Sequence, residues 1–276
     1  MDRRFSVIVC TYEQPRELDL VLCALSRQSR RPDEVLIADD GSGPETARVI
    51  ESWGSGLGCP LRHVRQVDKG YRKARIVNEA VRRSAGEHLI FLDGDSIPHR
   101  EWVADHREAA TAEHVLTGRR VKLGPRASAE LTREQVLEGR LDRPVRALLA
   151  SRLAGDTQRL GLGLRLPRPI ARLLHPRPRK LMGVNYSLPR AAFFAVNGYD
   201  EQWTVYGRED RDLELRLERA GVPFRALLNR AVVLHLHHAE RERSPEALTL
   251  VAEAERSNTV RCTAGLVGGD PFDADS

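Results

Sequence analysis

The sequence predicts an α/β fold with a mostly parallel sheet. Three observations lead there. Short apolar runs of strand length recur through the first hundred residues. Amphipathic stretches of helical period separate them, and several of the runs end in a polar cluster. The length, 276 residues, suits one large α/β domain or one with an appended lobe.

The first run, residues 5–10 (FSVIVC), is followed by a helical pattern over 16–27 with Leu18, Val21, Leu22 and Leu25 on one face. Residues 34–38 (EVLIA) form the second strand, which ends in Asp39-Asp40-Gly41-Ser42-Gly43. A helix over 45–53 and a weaker strand over 61–66 come next. A helix over 73–84 carries Ala74, Val77, Ala80 and Val81 at helical spacing, and 88–92 is the fourth strand. Such alternation gives parallel pairing through right-handed crossovers. Ligands of these sheets bind beyond the carboxyl ends of the strands. Thr11-Tyr12-Glu13, Asp39-Asp40 and Asp93-Gly94-Asp95 all stand at that edge.

The third cluster sits in FLDGDSIPH, residues 91–99. A buried strand there breaks into a loop carrying two carboxylates one glycine apart, and Pro98 prevents its continuation. Two such carboxylates repel unless something positive shares the site, and a divalent cation is the simplest candidate. An Asx-type turn with solvated side chains is the plainer alternative.

The middle of the chain differs. Residues 119–180 lack strand patterning and are rich in arginine. Within them RLPRPIARLLHPRPRK (165–180) holds six Arg and Lys residues, four prolines and no acid. A mobile basic loop accounts for this, and so does a surface for an anionic acceptor or membrane, since leucines and an isoleucine stand beside the charges. From residue 181 patterning returns. Residues 209–220 read as a helix with Gly221 as its stop, which places Glu209 and Asp210 in the first turn. Carboxylates are common there because the helix dipole favours them. Gly207 just before would let a substrate approach closely. A strand over 231–234 ends in His235-Leu236-His237-His238, and three histidines in four residues fit metal or phosphate chemistry.

Charged residues make up 30% and apolar ones 41%, ordinary for a soluble globular protein. No apolar run approaches the roughly 20 residues that span a bilayer. The first residues lead directly into a strand, so no signal peptide is read. Cys10, Cys23, Cys59 and Cys262 lack metal-pair spacing and read as reduced thiols of a cytoplasmic protein. A net charge of +5 favours anionic partners.

Taken in order and spacing, FSVIVCTYEQPREL, DEVLIADDGS, FLDGDSIPH and MGVNYSLPRAAFFAVNGYDEQWTVYGREDRDLELRL resemble the inverting family 2 glycosyltransferases of the GT-A fold. The last segment resembles the acceptor side shared with galactosyltransferases and chondroitin polymerases. The resemblance covers most of residues 5–118 and 181–240. It implies a Rossmann-like nucleotide-binding sheet with helices on both faces and a C-terminal acceptor-binding portion. It implies that Asp39 bonds the nucleobase, with Thr11, Tyr12 and Glu13 lining the same pocket and Lys73 or Arg75 supplying a positive contact. FLDGDSIPH then holds the DxD motif: Asp95 ligates the metal, Asp93 contacts the ribose or the metal through water, and Gly94 lies between them. His235 is the third metal contact, with His237 as the fallback. Asp210 is the catalytic base, and Glu209 holds an acceptor hydroxyl.

The chemistry itself needs such a set. Transfer from a nucleotide-diphosphate sugar leaves a diphosphate whose charge a divalent metal neutralises. Hard oxygen ligands suit magnesium or manganese, and a histidine tilts the choice to manganese. A carboxylate takes the proton of the attacking hydroxyl. The expected organisation is a nucleotide-sugar half over 1–118, a basic insertion over 119–180, an acceptor and catalytic half over 181–240, and a helix and tail over 241–276. The expected donor is a UDP-sugar, and the acceptor a glycan or lipid-linked glycan of the cell envelope. The setting is cytoplasmic or peripheral at the inner membrane face. A sugar-nucleotide pyrophosphorylase would need a glycine-rich phosphate loop near the first strand, which CTYEQPREL lacks. A nucleic-acid-binding protein or other non-catalytic basic binder would explain the charge, but aromatics are only 5% and no stacking platforms interleave the arginines.

Overall fold

The computed structural model describes residues 3–239 and 244–268. In chain order the strands are β1 (Phe5–Thr11), β2 (Glu34–Asp39), β3 (Leu61–Arg65), β4 (His88–Asp93), β5 (Ser96–Pro98), β6 (Val115–Thr117), β7 (Arg120–Lys122), β8 (Asn185–Pro189), β9 (Phe224–Ala226) and β10 (Val233–His235). Seven form one sheet in the order β3-β2-β1-β4-β8-β6-β9. Strands β3, β2, β1 and β4 are mutually parallel, β6 is parallel to β9, and β8 runs antiparallel between β4 and β6. The mostly parallel α/β sheet read from the sequence is therefore present.

Side-chain alternation divides the core into two layers. Val7 and Val9 of β1, Val35 and Ile37 of β2 and Ile90 and Leu92 of β4 face the layer that includes Leu18, Val21, Leu22 and Leu25 of the helix Pro15–Ser26. Ile8, Leu36, Leu89 and Phe91 face the other way, towards Ala74, Val77, Ala80 and Val81 of the helix Lys73–Arg83. Both faces of these strands are buried, which explains why they read as continuous apolar runs.

Three short strands make a second sheet in the order β5-β10-β7, with β10 antiparallel to β5 and parallel to β7. Two readings are corrected here. The strand expected over 231–234 begins two residues later and joins this small sheet, not the main one. Strand β7 lies inside the segment read as free of strands. It spans three residues and only Val121 is apolar, so no period-2 pattern can show.

The rest of residues 119–180 is built of short helices, Pro125–Ala129, Arg133–Leu137, Pro144–Leu153 and Arg168–Leu174. They are pinned to the body. Arg27 grips Asp142 through two bonds of 3.0 and 2.9 Å, Arg16 donates to the Ser128 and Leu131 carbonyls, and Arg165 pairs with the buried Asp105 at 2.7 Å. The helix Pro245–Arg256 falls in the portion read as a C-terminal helix and tail. Residues 241–243 and 269–276 of the expected C-terminal portion lie outside the described residues. Among the described residues no helix is long and apolar enough to cross a membrane.

Candidate metal centre and ligand cleft

A cleft of about 1560 Å³ opens at the carboxyl ends of β1, β2 and β4, against the small sheet. Its floor is set by chain reversals. The Gly94 N–H donates to the Cys10 carbonyl at 2.7 Å, and a Cβ on Gly94 would meet Thr11 Oγ1 at 3.0 Å. Glycine thus lets the loop after β4 lie against β1, with an aspartate on each side of it.

Asp95 is the centre of a donor cluster. His235 Nε2 lies 3.6 Å from its Oδ1 and His238 Nε2 lies 3.5 Å from its Oδ2. One ligand atom from each of the three falls within 4.8 Å of the others, a spacing one ion can bridge. Burial lowers the His235 pKa below its usual value, although the Asp95 carboxylate opposes this. A neutral imidazole is the form that binds metal. A carboxylate with two imidazoles is a mixed oxygen and nitrogen donor set that can hold a divalent metal ion. Antiparallel pairing of β10 with β5 places His235 opposite Ser96, directly after Asp95.

Asp93 is engaged differently. Its Oδ1 lies 2.9 Å from Lys73 Nζ, and the same ammonium lies 3.6 Å from Glu209 Oε1. Burial would raise the Asp93 pKa, but Lys73 holds it below the usual carboxylate value, and the Lys73 pKa in turn is raised well above its own. Asp210 Oδ2 accepts from the Gly183 N–H at 3.2 Å. Burial and then the neighbouring Glu209 raise its pKa. The helix Glu209–Arg219 is entered through Gly207 at φ 116° and Arg208 at φ 69°, so Gly207 serves backbone geometry as well as access.

Of the residues singled out from the sequence, Thr11, Tyr12, Glu13, Lys73, Asp93, Gly94, Asp95, His235 and His237 line the cleft. Glu209 and Asp210 stand behind Lys73, outside the lining. Arg75 is not on the wall. Neither is Asp39, which is fully buried beneath it, accepting from the Ser42 N–H at 2.8 Å and pairing with His63 Nε2 at 2.8 Å. Burial works against ionisation of Asp39, but these bonds lower its pKa. Its neighbour Asp40 lines the cleft instead. His237 is an exposed rim residue whose N–H donates to Ser128 Oγ at 2.7 Å, and His238 completes the donor cluster. Arg120 and Lys122 are cleft residues that the sequence did not single out, whereas Asp40 and His238 stood in flagged clusters without a role of their own.

Comparison with known proteins follows this geometry. The family described as glycosyl transferase family 2 matches residues 6–154, and the one described as the N-terminal domain of galactosyltransferase matches residues 174–239. The chain is similar to validoxylamine A glucosyltransferase of Streptomyces hygroscopicus subsp. limoneus, 32% identical over 229 residues, covering 79% of this chain and 48% of that protein. Chondroitin synthase of Escherichia coli is 25% identical over 233 residues, covering 80% of this chain and 33% of that one. The chain thus spans about half the length, or less, of these curated relatives. Among solved structures, S. aureus TarS 1-349 in complex with UDP superposes with a TM-score of 0.59 at 17% identity, covering 91% of this chain and 64% of that one. The mannosyltransferase PcManGT from Pyrobaculum calidifontis, in complex with GDP-Man and Mn2+, gives 0.57 at 16%, covering 92% and 69%.

Proposed function

The chain belongs to glycosyl transferase family 2 and has the GT-A fold, and from that premise we propose that it transfers a sugar from a nucleotide-diphosphate donor to a hydroxyl with inversion. The observation that carries this reading is the donor cluster of Asp95, His235 and His238 at the edge of the parallel sheet. These three residues would hold Mn2+ or Mg2+, with Mn2+ favoured by the imidazoles. When bound, the ion neutralises charge developing on the leaving diphosphate.

The remaining work falls to side chains of this chain. Thr11, Tyr12, Glu13 and Asp40 receive the nucleoside, and the buried Thr11 Oγ1, which has no hydrogen-bond partner among the described residues, is open to it. Asp39 supports that wall from beneath. Lys73 positions Asp93 for the ribose or a metal-bound water, and it fixes Glu209 at the acceptor side. Asp210 accepts the proton of the attacking hydroxyl. Burial raises its pKa, which makes it a stronger base than an exposed carboxylate.

UDP is the favoured nucleotide, in line with TarS, whose structures hold UDP and UDP-GlcNAc. The acceptor is a glycan or lipid-linked glycan of cell-envelope polysaccharide or lipopolysaccharide synthesis. Residues 1–118 form the donor half, 181–240 the acceptor half, and 119–180 one wall between them. The setting is cytoplasmic, with peripheral contact at an anionic membrane through the basic wall. Incubating the chain with UDP- and GDP-sugars and Mn2+ tests the reading: metal-dependent release of one nucleoside diphosphate is expected, and release from none of them contradicts it.

A further inference from the structure

We propose that Arg120 and Lys122 form an anion subsite beside the metal cluster, one that takes a phosphoryl group. The register of the small sheet carries the argument. Residues two apart on a strand share a face, so Arg120 and Lys122 point the same way and Val121 the other. Val121 is fully buried in the core with Ile97 and Leu234. The opposite face, bearing both cations, looks into the cleft. In the ladder Lys122 lies directly opposite His235, and Arg120 is paired one step back with Val233. Two cations and a metal-binding histidine therefore occupy one small patch.

Arg120 is the more telling of the two. Its Nε is buried and finds no hydrogen-bond partner among the described residues. A buried donor without an acceptor is costly, and a ligand oxygen would satisfy it. The guanidinium is close enough to act on the charge states of both Asp93 and His235. Its planar fork matches the oxygens of a phosphoryl group, and Lys122 adds a point charge beside it. The backbone of Lys122 is fixed by two bonds to Gln158, 3.1 and 2.8 Å, so the basic insertion itself holds this strand in place.

Position narrows the ligand. Across the cleft the order runs from the Thr11 and Asp40 wall, through Asp93 and Asp95, to His235 and then Lys122 and Arg120. A nucleotide whose base lies at the first wall brings its diphosphate to the metal, and its terminal phosphoryl to this pair. A phosphate carried by the acceptor is the other source with the same chemistry. The donor source rests on the nucleotide-sugar reading above, and the acceptor source does not.

Titrations of UDP, GDP and uridine into the full chain with Mn2+, repeated for Arg120→Gln and Lys122→Gln, test this. Loss of about 10- to 100-fold in nucleoside diphosphate affinity, with uridine binding unchanged, is expected if the donor supplies the group. Unchanged nucleotide affinity, with inorganic phosphate binding to the nucleotide-loaded wild type and not to the variants, assigns it to the acceptor. Arg120→Lys keeps the charge and should retain part of the binding, and thermal unfolding shows whether each variant is folded. If Arg120→Gln fails to fold, Lys122→Gln decides alone. Folded variants that bind nucleotide and phosphate as the wild type does overturn the subsite. A wild type that binds neither UDP nor GDP overturns the nucleotide reading instead, and the phosphate arm still decides the subsite.

Discussion

Lys73 Nζ lies 2.9 Å from Asp93 Oδ1, and this pair joins the end of β4 to the helix Glu209–Arg219, because the same ammonium reaches Glu209 Oε1 at 3.6 Å. One cation thus pairs with two carboxylates from different halves of the chain. Lys73→Gln should leave them repelling and lower stability by about 1–3 kcal/mol, measured by denaturant unfolding at neutral pH. The sign with pH follows from Asp93, whose folded pKa is lowered. Its stabilisation is full above the unfolded carboxylate value and lost as pH falls through the folded one. The gap between wild type and variant should therefore narrow in acid, and a gap that widens there contradicts the role.

Asp39 and Asp40 adjoin in sequence but stand in different places, Asp39 fully buried beneath the cleft wall and Asp40 on it. Asp39→Asn disturbs bonds to Ser42 and His63 in the core, so it should cost about 1–3 kcal/mol in thermal unfolding. Asp40 is different: burial pushes its pKa up to about 6. A carboxylate whose folded pKa is raised penalises the fold increasingly as pH climbs from the unfolded value, with the full penalty above about 6. Asp40→Asn should keep or raise the melting temperature at pH 8 while weakening UDP binding. The reverse pattern would exchange the two assignments.

For the base, Asp210→Asn should reduce turnover by about 10²–10⁴-fold while nucleotide binding stays intact. As the proposed base Asp210 must be ionised to act, so the acid limb of the rate profile should lie above the ordinary carboxylate range. Glu209 helps to raise the Asp210 pKa, after burial. Glu209→Gln should therefore move that limb to lower pH and weaken acceptor affinity more than turnover. Full activity of Asp210→Asn would place the base elsewhere.

Leu153, Leu173 and Leu174 are 80, 79 and 58% exposed within the basic insertion. With Arg177, Arg179 and Lys180 they should give binding to vesicles of acidic lipid that weakens steeply with salt, since surface charges are screened within about 8–10 Å at physiological ionic strength. Replacing the three basic residues together should abolish it. Binding unaffected by salt or by that replacement would return the insertion to a solvated wall.

Strands β1, β2 and β4 were legible because each is buried on both faces and bounded by polar turns, and β3, of which only Val64 is buried, read as the weaker strand. Asp93 and His235 were legible because they end β4 and β10, and Asp95 because it follows β4 across a single glycine. What stayed hidden depends on register. Asp39 ends β2 with its side chain inward, and the next residue, Asp40, turns to the cleft. Arg120 and Lys122 ride a strand of three residues that is recognisable only by its pairing with β10. His238 enters the cluster because the chain bends after β10, and the spacing of three histidines does not reveal which of them that bend turns inward. Strand β8 reverses direction within a parallel sheet, and alternation of elements cannot signal that.

The central claim is the ion held by Asp95, His235 and His238, and Mn2+ binding measured by electron paramagnetic resonance tests it most directly. Asp95→Asn and His238→Ala should each lose bound Mn2+ in the presence of UDP, with His237→Ala binding as the wild type does. Loss of Mn2+ in His237→Ala with His238→Ala unaffected, or unchanged binding in Asp95→Asn, would contradict the account.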